Sequence, residues 1–218
     1  MISSSIPDWE LRQRLSCLEG SEALPEDVPP GTVDRLFAAL GSEDPHLGDE
    51  IGAAKLARWI VIQHALPADQ MRRLHARARG PSGARHRIGE SGTTSVFRRS
   101  FSILLLAFIQ AVDNATRFLT NEEWEGSLDT LVSCGQQEQD VRASVSGLGW
   151  THSVAHASDL ADELRNHRVV ARHRRRRSCR QSATWWRGAG SPSAEKRRIG
   201  LLSLLPLSFG EDSSKCMP

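Results

Sequence analysis

Apolar residues recur at helical spacing from Asp8 to Leu164, and beyond Leu164 the pattern stops. No other feature limits the possible folds as strongly. Leu11, Leu15 and Leu18 share one helical face behind Asp8, which can cap that helix, and Gly20 ends it. Thr32 or Asp34 starts a short helix bearing Leu36, Phe37 and Leu40, closed by Gly41. Asp44-Pro45 supplies a cap and a first-turn proline ahead of Ile51, Leu56, Trp59, Ile60 and Ile62. A further helix begins at Pro67, carries Met71 and Leu74, and runs into a Gly/Ser/Pro loop over 80–92. Val96 to Val112 is the most apolar segment: Phe97, Phe101, Leu104, Leu105, Phe108 and Val112 cover more than one stripe, as a buried helix requires. Thr120 with Glu123 makes a capping box for a helix bearing Trp124, Leu128 and Leu131, and a last helix starts near Gly149 and runs through Leu164. Period-2 alternation is nearly absent. The expectation is an all-α domain over 1–164 of about seven stacked antiparallel helices, a short α-solenoid or an irregular helical bundle.

The 218 residues carry 28 Lys+Arg and 26 Asp+Glu, a formal charge of +2. That sum conceals two unlike stretches. Residues 1–164 hold 15 basic and 23 acidic groups, a net of −8, whereas residues 165–218 hold 13 and 3, a net of +10. The second stretch has neither apolar periodicity nor capping logic, so it reads as a basic tail unable to bury enough surface to fold alone. Its run Arg172 to Arg180, with His173 and then Trp185 and Trp186, could neutralise phosphates and stack on bases. That signal is nonspecific and weighs less than an out-of-frame reading of GC-rich DNA, which yields Arg, Ser, Pro, Gly and Trp without periodicity and agrees with the 25 Arg to 3 Lys of the whole chain. The acidic domain itself argues against nucleic acid as a partner, which leaves the tail as the only expected route to one. Cys17, Cys134, Cys179 and Cys216 are scattered, without a C-x-x-C pair, and read as free thiols. The opening MISSSIPDWELRQRL has no basic segment followed by an apolar run, and the apolar stretches Ile103–Ile109 and Ile199–Leu207 fall short of the ~20 residues of a spanning helix. A cytoplasmic protein without a membrane partner is expected.

The most specific local pattern is GLGWTHSVAHASDL, in which His152 and His156 stand four apart and Asp159 three further on. On a helix these positions lie along one face. Two imidazoles and a carboxylate there suit a divalent metal such as zinc, or a histidine base oriented by a carboxylate. The alternative is that one histidine is a satisfied, partly buried residue, the other faces solvent, and Asp159 pairs with a nearby arginine. In GESGTTSVFRRSFS, a Gly-rich loop with Glu90 and several hydroxyls leads into the buried helix, where backbone amides with Arg98 and Arg99 could hold an anion. The bland version is a loop plus an arginine paired with acids on adjacent helices. Glu138, Asp140 and Arg142, just before the histidine helix, would supply further ligands or a salt-bridge network.

Taken together, LGSEDPHLGDEIGAAKLARWI, VFRRSFSILLLA and EQDVRASVSGLGWTHSVAHASDL resemble the bacterial domain-of-unknown-function family numbered 2785. The resemblance covers about residues 30–164 and rests on three ordered motifs: VF-x-RSFS, D-x-R-G and GWAH-x-x-AH-x-x-DL. Carried onto this chain, the motif positions are Arg99, Ser100 and Ser102, then Asp140 and Arg142, then Trp150, His152, His156 and Asp159. Three departures are Gly48 in place of Arg, Ala143 in place of Gly and Thr151 in place of Ala. The ending departs as well, because members continue with helical sequence where this chain turns Arg-rich. The resemblance implies a helical fold and assigns no activity. If the protein is an enzyme, His152, His156 and Asp159 with Asp140 and Arg142 would perform metal-assisted hydrolysis, with Arg99 and Glu90 at an anion site. If it is not, a helical protein-interaction module would use the same set as hydrogen-bond glue.

Overall fold

The most apolar run of the sequence becomes the longest helix among the residues described by a computed structural model, 6–167. In chain order the elements are α1 (Asp8–Leu15), α2 (Thr32–Ala39), α3 (Ala54–Ala57), α4 (Ala68–Arg79), α5 (Ser95–Thr116), α6 (Asn121–Gln137), the strands β1 (Ser144–Val145) and β2 (Gly149–Trp150), and α7 (Ser153–Asn166). The expected all-α fold is therefore present, with one small antiparallel hairpin that pairs Ser144 with Trp150 and Val145 with Gly149. The first helix, expected to run through Leu18, is α-helical to Leu15 and 3₁₀ over Ser16–Leu18.

α5 is the centre. It touches α3, α4, α6, α7 and the segment Arg58–Ile62, so contacts are not confined to sequence neighbours as in a solenoid. An irregular bundle wrapped round one helix describes the arrangement. Val96, Phe97, Leu104, Leu105, Ile109 and Val112 are all buried, joined in one core by Leu11, Leu15, Leu36, Phe37, Trp59 and Leu160. By length and hydropathy α5 could cross a membrane, but 89% of its apolar window is buried inside the fold, the setting of a core helix. It ends where Arg117 turns left-handed (φ 60°) and donates its N–H to Asp113 O.

Three expectations are corrected. Asp8 does not cap α1: Pro7 occupies that position, and the Asp8 carboxylate instead accepts the Ser42 hydroxyl at 2.5 Å. The helix expected after Asp44-Pro45 is π-helical over His46–Ala53 and Arg58–Ile62, on both sides of α3. Gly48 and Gly52 sit within it where a Cβ would lie 3.4 Å from Ala39 O and 3.4 Å from Leu36 O, so this helix packs backbone against α2. Asp44 still caps it, accepting from His46 N–H at 3.2 Å. The last helix starts at Ser153 rather than near Gly149, because Gly147 (φ 76°) and Gly149 (φ 97°) turn the chain into the hairpin. It runs past the expected boundary at Leu164, and His167 is buried on Asp113 at 3.0 Å and stacked on Trp124. The remaining tail, with Arg172–Arg180, Trp185, Trp186, Cys179 and Cys216, lies outside the described residues. Cys17 and Cys134 are free thiols, Cys17 exposed and Cys134 buried.

Candidate functional site

Arg99 lies in the first turns of α5 with 2% of its surface exposed. Its guanidinium forks onto Glu138, Nε to Oε2 at 2.6 Å and Nη2 to Oε1 at 2.8 Å. The remaining N–H groups reach His86 O, Arg87 O, Glu90 O and Ser95 Oγ at 2.7–3.3 Å. Its donors are thus directed to the loop before α5 and to the end of α6. Glu90 accepts from Ser95 Oγ (2.9 Å) and Thr93 Oγ1 (3.1 Å), and these bonds hold its carboxyl below the usual range. The expected anion site is filled by the chain's own acids: Glu138 has the place on Arg99, and Glu90 closes the start of α5.

The chain passes from Glu138 to Asp140, whose N–H donates to Glu138 Oε1 at 2.9 Å. Asp140 is fully buried and accepts from Arg142 Nε (2.7 Å) and Nη2 (2.5 Å) and from Gly92 N–H (3.0 Å). The Arg142 bonds hold its carboxyl below the ordinary range. Arg142 also donates to Thr93 O at 2.9 Å, and its own carbonyl accepts the Thr151 hydroxyl. The Thr151 carbonyl accepts the hydroxyl of Ser100, which lies 2.8 Å from His156 Nδ1. Because the one hydroxyl proton of Ser100 goes to Thr151, His156 must donate from Nδ1 and carry its lone pair on Nε2. Burial holds its pKa at about 3, so the ring is neutral. Arg99, Ser100, Asp140, Arg142 and His156 are thereby linked through Glu138 and Thr151 into one clamp across α5, the hairpin and α7.

His152 does not project from the helix. It is the N-cap residue, in the left-handed region (φ 49°), and its carbonyl accepts His156 N–H at 2.9 Å. Its ring is exposed, stacks on Trp150 with centroids 5.2 Å apart, and lies 5.7 Å from the His156 ring. Asp159 is buried one turn beyond His156, and burial, with Asp162 and Glu163 adding repulsion, pushes its carboxyl up to about 7. No arginine pairs with it among the described residues. No group of three or more His, Cys, Asp or Glu side chains among the described residues converges to hold a metal.

Beside Trp150 lies a shallow open notch lined by Ser42, Asp44, Pro45, Gly48, Asp49, Phe97, Phe101, Leu148 and Trp150. Asp49 feels the His152 ring, and its carboxyl is raised chiefly by burial. Sequence spacing could not disclose Asp49, because a separate helix brings it to the hairpin. The only local hint was the glycine pair flanking Leu148, which signals a turn where the chain could meet another element.

A family model described as Protein of unknown function (DUF2785) matches residues 85–179. Over this stretch the chain is similar to that family. The match covers α5, α6, the hairpin, α7 and the loop end at Arg87 and Glu90, so the whole clamp lies within the matched stretch. The expected LGSEDPHLGDEIGAAKLARWI motif, and with it Asp49, precedes the DUF2785 match, which also runs past Leu164. No curated protein and no solved structure matches the chain.

Proposed function

We propose that the protein is a non-enzymatic helical interaction module in which the clamp fixes a rigid corner and presents Trp150 and His152 to a partner. The observation that carries this reading is the mutual satisfaction of Arg99, Glu138, Asp140, Arg142 and Ser100. An enzyme keeps its acid, base and anion-holding groups open to substrate, whereas these bond to one another. Trp9, Ile62, Val141 and Trp150 are the large apolar side chains exposed among the described residues, and Trp150, 59% exposed, is the one stacked on His152 beside the clamp, of a residue type that often anchors protein interfaces. The test compares proteins retained from a lysate of the source organism by the full chain and by its Trp150→Ala variant, with melting temperatures measured for both. A discrete partner held by the wild type and lost by the equally stable variant is expected. Identical retention by both would overturn the reading.

One observation favours a second reading, metal-assisted hydrolysis with His152 and His156 as ligands. A ligating histidine needs its second nitrogen held by an acceptor, and Ser100 fixes His156 in that tautomer. Stoichiometric zinc in the purified protein, lost in both His152→Ala and His156→Ala, is the outcome this reading requires. Metal-free protein whose melting is indifferent to chelator would remove it.

A further inference from the structure

The acids around the notch are engaged, with one exception. Asp44 pairs with Arg12 and caps its helix, Glu43 accepts the Thr94 hydroxyl at 2.7 Å, and Glu50 lies 2.7 Å from His46 Nδ1. Asp49 is partly buried in the notch, and among the described residues its carboxylate has no hydrogen-bond donor and no ion-pair partner. A carboxylate partly withdrawn from water without a donor is less favourably placed than one that is paired. Its surroundings supply what would complete a binding site. Phe97, Phe101, Pro45 and Leu148 make an apolar floor, and the Trp150 indole stands at the side.

These three elements together match one kind of ligand. A carboxylate alone would take any cation, but an apolar floor suits a methylene stem and an indole face suits a planar, weakly hydrated cation. The surplus of acids over residues 1–164, a net of −8, adds a field that draws cations to this part of the chain. We propose that the notch takes the arginine side chain of a basic peptide segment on a partner protein, its guanidinium meeting Asp49 and lying against Trp150. This rests on the interaction-module reading and names the chemistry of the partner.

The test titrates the full chain with an acetylated arginine-bearing peptide and with the same peptide carrying citrulline, which keeps the shape and removes the charge. The wild type should bind the first and not the second. Asp49→Asn and Trp150→Ala should each weaken binding about tenfold or more, while Glu122→Gln, an exposed acid at the start of α6, leaves it unchanged. No binding of the arginine peptide, equal binding of the citrulline peptide, or an Asp49→Asn variant that binds as the wild type does would overturn the proposal. The citrulline comparison uses wild-type protein alone, so it stands even if a variant folds poorly. A lysate partner lost with Trp150→Ala but kept with Asp49→Asn would sink this inference and leave the module reading intact.

Discussion

Arg99 brings three backbone carbonyls, one hydroxyl and one carboxylate to a single guanidinium. Lysine has the charge but only three donors on one atom, and it cannot fork onto Glu138 while reaching the loop. Arg99→Lys should therefore cost about 3–5 kcal/mol, the range for breaking a buried pair, read as a lowered urea midpoint. A loss under about 1 kcal/mol would show that the loop is held by other contacts. The affinity of Arg99 for an anion was legible in the sequence. Its partner was not, because Glu138 arrives from the end of α6 and nothing in local spacing reports that approach. The same limit applies to Asp49 and His152. His156 shows the complementary case: its position beside His152 was readable from i, i+4 spacing, while its bond to Ser100 depends on how α7 lies across α5.

At the scale of elements, signals that act within one turn were the readable ones. The capping box of Thr120 and Glu123 is present in both directions, the threonine hydroxyl accepting Glu123 N–H at 3.1 Å and the glutamate accepting Thr120 N–H at 2.7 Å. The π-helical stretches beside α3 were not readable, since they arise from close packing of Gly48 and Gly52 on α2. The start of α7 was misplaced because the apolar pattern of Leu148 and Trp150 continues helical phase, whereas two left-handed glycines break it. Gly149 also approaches Pro45, where a Cβ would lie 3.1 Å from Cγ. Gly149→Ala should cost roughly 1–3 kcal/mol from backbone strain and this contact together. Its melting temperature should fall, and the indole signal of Trp150 should change as the hairpin lifts from Pro45. An unaltered melt would mean that the hairpin does not depend on this turn.

For the whole molecule, buried titrating groups oppose one another. Burial holds His156 at about 3 and His75 at about 4, so the unfolded chain binds their protons below 6.5 while the folded chain does not, and stability falls as pH drops. Asp159 has the opposite sign. Its folded carboxyl takes a proton near 7 and its unfolded one near 3.8, so lowering the pH through this window favours the fold. Near pH 5 these three leave a net of one proton favouring the unfolded chain, about 1.4 kcal/mol per pH unit. The stability of Asp159→Asn relative to the wild type should rise by roughly 2–3 kcal/mol between pH 5 and pH 8, as urea midpoints at the two pH values would record. A difference that is the same at both pH values would show that Asp159 is ionised without penalty. Helix content and the central place of the most apolar run were legible at this scale, because both follow from periodicity, but the balance of buried charges was not. The clamp also makes the chain length between its contacts a structural quantity. Surface loops ordinarily accept inserted residues at little cost. The stretch from His86 to Arg99 should not, since the carbonyls of His86, Arg87 and Glu90 must all meet the one guanidinium that their own segment carries. Adding or removing a single residue there would shift at least one of those carbonyls out of reach, so related chains can vary the letters of this stretch far more readily than their number.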